Sequence, residues 1–347
     1  MRIAFLYDRG RPGQFAGKSH ELADTGGSEG SMVRYAFALA DLGHEVLVYI
    51  PGGPPHSYCG VEWRNIRTRD RFDERFDVAI ALRFPQALRG MAAPVKALYC
   101  CDPAVPALPE YVESGDVHLV ITISECQKRR FQELHAIPEE LYLVSNAGVN
   151  WEDYARLDIR KRRGRCIYCS VPERGLEDLV SIWPLIQSEI PWARLHITGS
   201  LSLWGMSVPQ EETRLFDGLT RMPGVTYLGV LSREDLIREQ LESQVLLLPG
   251  NPGSPEMCCM SAMECASARC AIVVTDLYAL TERVVPGRTG HIVSRGAEWQ
   301  RLFAETAVGL MTNPELSIMQ YNAQAGERCH DYKVLARQWE KRLEVLA

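Results

Sequence analysis

Short apolar runs alternate with helical stretches along almost the whole chain, and no other feature restricts the fold as much. The runs Ile3–Tyr7, Val46–Ile50, Val78–Leu82, Val117–Ile123 and Leu141–Val144 read as strands buried on both faces. A second set follows at Arg165–Cys169, Arg194–Thr198, Val225–Leu228, Val245–Leu248 and Ala271–Val274. Between the runs, apolar residues recur at helical spacing: Val33, Ala36, Phe37 and Ala40 form one stripe, and Leu176, Leu179, Val180 and Trp183 another. Such alternation requires parallel sheets covered by helices on both faces, a doubly wound α/β architecture. Two sets predict two Rossmann-like domains. The break is expected in Asn150–Gly164, where Arg160-Lys161-Arg162-Arg163-Gly164 interrupts the apolar pattern. The last segment, Asp331–Leu346, is an amphipathic helix with Leu335, Trp339 and Leu343 on one face.

Composition agrees with two sizeable cores: 347 residues, 46% hydrophobic and 24% charged. A net charge of −6 argues against a dominant surface for nucleic acid or anionic membrane. Lys128-Arg129-Arg130, beside Phe131 and Leu134, is expected to be a solvated helix face, and membrane association through it or through Lys161-Arg162-Arg163 is not favoured. The run after Met1 stops too early for a signal peptide, and no stretch approaches the roughly 18 apolar residues of a membrane span. Eleven cysteines without a secretory signal then predict reduced thiols and a cytoplasmic location. Cys166 and Cys169 have the spacing of a redox or zinc pair, but with no second pair they read as small hydrophobes in a strand.

Three segments carry the polar chemistry. Asp24-Thr25-Gly26-Gly27-Ser28-Glu29-Gly30 lies between the first strand and first helix, where glycines let backbone amides approach an anion. A Gly-rich turn that only connects the two elements is an equally good reading of those residues alone. The helix is expected to end at Gly43. Gly250-Asn251-Pro252-Gly253-Ser254-Pro255 leads from a strand to Glu256, and a helix running from Glu256 is expected to carry Glu264. The two carboxylates would then stand about 12 Å apart on similar faces, suited to hydroxyl groups of one long ligand. Ser170-Val171-Pro172-Glu173-Arg174-Gly175-Leu176 follows the first strand of the second set, and Arg174 is expected to open a helix where it can clamp a diphosphate.

In number, order and spacing these elements resemble the retaining family 4 glycosyltransferases of the GT-B fold (glycosyl transferases group 1). Gly26-Gly27-Ser28-Glu29 with Leu42-Gly43-His44-Glu45-Val46 is similar to the family's first loop, helix and second strand. Val144-Ser145-Asn146-Ala147-Gly148-Val149-Asn150 is similar to the segment that ends its first domain, and Glu256 and Glu264 to its paired glutamates. The resemblance implies two domains with a cleft between them: 1–150 with helix 331–347 on the acceptor side, and 151–330 holding the nucleotide-sugar donor. It implies that Glu256 holds the transferred sugar beside the amides of Met257, Cys258 and Cys259. Glu264 would hold the ribose, Arg174 the diphosphate, and Gly26, Gly27 and Ser28 the phosphates. Cys101 and Asp102 are near-site candidates. It further implies a UDP- or GDP-linked sugar as substrate, no cofactor, no metal, and a glycan, lipid-linked or small-molecule acceptor. Cys101 stands where many relatives have histidine, Val171 where they have a basic residue, and Arg269 where they have glycine. These departures keep open a sugar-nucleotide-binding module without turnover, and the shared two-domain architecture leaves a sugar-nucleotide epimerase as a second alternative.

Overall fold

In a computed structural model the described residues are 1–9, 26–68, 70–204 and 207–347, so Asp24 and Thr25 of the first loop lie outside them. The chain divides into two compact units, Met1–Gly148 with His330–Ala347, and Val149–Cys329.

The first unit is built on eight strands: β1 (Arg2–Leu6), β2 (Glu45–Ile50), β3 (His56–Tyr58), β4 (Val61–Asn65), β5 (Val78–Leu82), β6 (Val95–Tyr99), β7 (Leu119–Thr122) and β8 (Tyr142–Val144). Their order is β3-β4-β2-β1-β5-β6-β7-β8, all parallel except β3 against β4. The strand order reverses between β1 and β5, and open sheets of this kind bind ligands beyond the carboxyl ends of the strands at that point. β1, β2 and β5 are buried on both faces, which is why they read as continuous apolar runs.

Helix Gly27–Asp41 buries Met32, Val33, Tyr35, Ala36, Ala38 and Leu39, a broader face than the expected stripe, with Phe37 and Ala40 at its margin. Gly43 ends it at φ +91: the Gly43 and His44 amides donate back to Ala40 and Leu39. The C-terminal helix, Tyr332–Leu346, belongs to this unit and packs on Gly27–Asp41. Its Trp339 is fully buried, stacks on Tyr35 at 4.0 Å and 15°, and donates from Nε1 to Ser145 Oγ at 2.7 Å. Trp339→Ala should destabilise the first unit by about 3–5 kcal/mol, and Trp339→Phe by clearly less because the stack survives. Urea denaturation followed through this unit measures the difference, and equal effects of the two variants would contradict it.

The second unit has six parallel strands: β9 (Arg165–Cys169), β10 (Arg194–Thr198), β11 (Val225–Tyr227), β12 (Val245–Leu248), β13 (Ala271–Thr275) and β14 (Gly290–Val293). They are ordered β11-β10-β9-β12-β13-β14, with the reversal between β9 and β12. Both units are therefore doubly wound α/β sheets, the expected fold class. No helix among the described residues is long and apolar enough to cross a membrane. All eleven cysteines are free, and Cys166 and Cys169 lie buried in β9.

Two local expectations need correction. Helix Leu179–Glu189 begins after Leu176 and buries Leu179, Ile182, Trp183 and Ile186, while Val180 is exposed. In the run Lys161-Arg162-Arg163, Arg162 and Arg163 are exposed and only Lys161 turns inward. Lys161 Nζ donates to the carbonyls of Gln240, Ser243 and Ala268, Arg162 pairs with Glu242, and Arg163 lies over Trp192. Finally, the helix carrying Glu264 is Met260–Ser267, so Glu256 lies outside it and the two carboxylates do not share a helix.

Candidate functional site

In the second unit the site residues gather at the carboxyl ends of β9 and β12. β9 ends at Cys169, and a short 3₁₀ turn, Pro172–Arg174, follows instead of the expected helix start. Arg174 therefore precedes helix Leu179–Glu189 by a loop. Its Nη1 donates to the Ser254 carbonyl at 2.6 Å, and its Nε lies 3.6 Å from Glu256 Oε2. With 16% of its side chain exposed, Arg174 is a partly buried tie between two loops and not a free surface cation. The approach is backbone to backbone: a Cβ on Gly175 (φ +96) would meet the Gly250 carbonyl oxygen at 2.3 Å. Arg295 holds the same turn from behind, donating to the Pro249 and Gly250 carbonyls while paired with Asp178.

Glu256 organises the loop it precedes. Its Oε1 accepts from the amides of Cys259 at 3.0 Å and Cys258 at 3.4 Å. Cys259 sits in left-handed backbone (φ +56) and forms the N-cap of Met260–Ser267 without a side-chain cap bond. A β-substituted residue there is strained, and such strain persists only where surrounding contacts enforce it. Of the three amides expected beside the ligand, those of Cys258 and Cys259 thus bind the Glu256 carboxylate in this structure. The Met257 side chain is buried. Burial pushes the Cys259 thiol well above its ordinary range, helped by the Glu256 charge, so it stays protonated at neutral pH.

Glu264 lies within a separate network. Its Oε1 accepts from Arg233 Nη1 at 2.6 Å and its Oε2 from Gln240 Nε2 at 3.2 Å. Arg233 Nη2 donates to the Tyr154 hydroxyl at 2.9 Å, which donates to Gln240 Oε1 at 2.9 Å. Burial works against the Arg233 charge, but Glu264 and Tyr154 outweigh it and raise its pKa. Sequence reasoning missed Arg233, Gln240 and Tyr154. The one available signal was that a carboxylate on an apolar helix needs a partner.

In the first unit, Gly26 is the N-cap of Gly27–Asp41 and makes no side-chain cap bond, and Glu29 lies in the first turn. Asp102, beyond β6, receives both arms of Arg83, at 2.7 and 2.5 Å. Arg83, just after β5, has φ +66 and also approaches Glu29 Oε1 at 3.5 Å, which Tyr7 bonds at 2.9 Å. Glu29 belongs to the first candidate loop but had no role of its own there; Tyr7 and Arg83 were not anticipated, although they follow the two strands that flank the reversal. Burial raises the Cys101 thiol to about 12, opposed by the Ser28 hydroxyl and Arg83. Cys101 is therefore in its thiol form at neutral pH.

Of the departures, Val171 is buried and has no charge to offer. Arg269 takes left-handed backbone (φ +63) just after helix Met260–Ser267, with the Arg269 and Cys270 amides bonded back to Ala266 and Cys265. Glycine adopts that position freely, so arginine there costs backbone strain at the helix end.

Residues 164–313 match the family described as Glycosyl transferases group 1. No protein of curated function matches the sequence. The structure is similar over 99% of the chain to sucrose-phosphate synthase from Thermosynechococcus elongatus, with TM-score 0.72, 15% identity and 98% of that chain covered. It is equally similar to Anabaena HepE in complex with UDP-glucose, with TM-score 0.72, 16% identity, and 99% and 100% of the two chains covered. A glycosyltransferase from Rickettsia africae matches with TM-score 0.71 at 13% identity, over 99% of this chain and 98% of that one.

Proposed function

From the GT-B fold of the chain and the Glycosyl transferases group 1 match over residues 164–313, we propose a glycosyltransferase that moves a sugar from a nucleotide donor to an acceptor hydroxyl with retention of anomeric configuration. The observation that carries this reading is the joining of Arg174, Glu256 and the start of helix Met260–Ser267 at the strand-order reversal of the second unit. Charge builds on the leaving diphosphate as the glycosidic bond breaks. A guanidinium and a helix N-terminus fixed in advance stabilise that charge more than they stabilise the ground state. Metal is not needed for this role. When the donor binds, its sugar hydroxyls take the place of amides at Glu256. Retention follows if the acceptor attacks from the leaving-group face, which requires no protein nucleophile. On the first unit, the uncapped start of Gly27–Asp41, with Gly26, Gly27 and Ser28, is the part suited to phosphate.

The HepE complex favours a UDP-linked over a GDP-linked donor. The acceptor is a hydroxyl of a glycan, a lipid-linked carrier or a small molecule, and the reaction is placed in the cytoplasm. Screening UDP- and GDP-sugars by thermal shift, with and without EDTA, tests the donor reading. A ligand at about 100 times its Kd adds about 2.7 kcal/mol to apparent stability, a shift of several degrees. One nucleotide series should stabilise the chain, with EDTA leaving the shift unchanged. No stabilisation by any nucleotide sugar would overturn the reading, and stabilisation without turnover would leave a binding module.

A further inference from the structure

We infer that Arg233 is a positioning residue that sets both oxygens of Glu264 to receive the vicinal hydroxyls of a ribose, and so determines preference for ribonucleotides. This rests on the donor reading of Glu264. The four side chains close a ring: Arg233 to Glu264 Oε1, Arg233 to Tyr154, Tyr154 to Gln240 Oε1, and Gln240 Nε2 to Glu264 Oε2. The bond directions around this ring are coupled. Arginine can only donate, so the Tyr154 hydroxyl that accepts from it turns its own proton to Gln240. Gln240 must then present its oxygen to Tyr154 and its amide nitrogen to Glu264. Arg233 therefore acts on one carboxylate oxygen directly and on the other through Tyr154 and Gln240, both of which are fully buried. A carboxylate has about four acceptor positions. The ring uses one on each oxygen, which leaves one on each for two adjacent hydroxyls. The Glu264 side chain is 13% exposed and the Arg233 side chain 29%, so that edge of the ring is open to solvent while Tyr154 and Gln240 back it from inside.

The test compares calorimetric affinity for UDP and 2′,3′-dideoxy-UDP, and for the corresponding guanosine pair, in the full chain. The unmodified chain should prefer the ribose form by about tenfold or more, the size expected for charge-assisted hydroxyl bonds. Arg233→Lys keeps a charge for Glu264 but cannot also reach Tyr154. It should lose most of that preference while dideoxynucleotide affinity stays within about twofold. In a Glu264→Gln background, Arg233→Lys should change the preference no further. If Arg233→Lys does not fold, Tyr154→Phe cuts the ring between Arg233 and Gln240 at nearly constant volume and should also reduce the preference. A folded Arg233→Lys that retains the preference, or that loses affinity equally for both nucleotides, would overturn the inference. If Glu264→Gln itself leaves the preference intact, the ribose assignment of Glu264 fails and the inference fails with it. If only the Arg233 and Tyr154 variants leave it intact, the ring alone is wrong.

Discussion

Arg174→Ala should lower turnover of the nucleotide-sugar donor by roughly 10²–10³, the range for removing one preorganised electrostatic contact. The guanidinium stands 3.6 Å from Glu256 and is anchored on the Ser254 carbonyl, so it is already placed before any diphosphate arrives. Val171, where relatives carry a basic residue, supplies no charge. Arg174→Lys restores the charge but not the planar fork, and should fall between the parent and the alanine variant. Because Arg174 ties two loops, some loss of stability is expected as well. A partly buried pair of this kind does not hold up the core, however, and the melting temperature should fall by only a few degrees. Donor turnover measured beside the melting temperature separates the two effects. Near-normal turnover in a folded alanine variant would remove Arg174 from the mechanism.

Glu256→Ala should cost at least as much. That carboxylate is the acceptor for the Cys258 and Cys259 amides and the partner of Arg174, so its loss frees the loop and the cation together. Glu256→Gln keeps an oxygen for the amides and loses only the charge, so it should be milder. The two positions share one network, and the losses in Arg174→Ala and Glu256→Ala should fail to add, with a coupling of about 0.5–3 kcal/mol in the transition-state energies. Steady-state kinetics of the two single variants and the double variant measure this. Strict additivity would mean that the pair does not act as a unit.

The doubly wound fold was legible because buried parallel strands must be apolar throughout; Val78–Leu82, Arg165–Cys169, Arg194–Thr198 and Val245–Leu248 were found to the residue. β4 was missed because it alternates: Val61 and Trp63 are buried while Glu62 and Arg64 are not, the pattern of a strand near a sheet edge. β6 was missed because Lys96 interrupts it, although that lysine is paired with Asp116. The false helix start at Glu256 has a physical cause too. Helical spacing cannot reveal that Cys259 takes left-handed backbone, which delays the first turn to Met260. At the site, Arg174, Glu256 and Glu264 carry a charge that needed explaining and so stood out in the sequence. The network around Glu264, made of Arg233, Gln240 and Tyr154, did not, because each lies far from Glu264 in sequence and looks ordinary by itself.

The most direct measurement is release of nucleoside diphosphate from UDP- and GDP-sugars by the purified chain and by Arg174→Ala, with the anomeric configuration of the product read by proton NMR. Release is expected from one donor series, with a loss of roughly 10²–10³ in Arg174→Ala and a product with the configuration of the donor. Release that is unaffected by Arg174→Ala, or a product of inverted configuration, would contradict the proposed function.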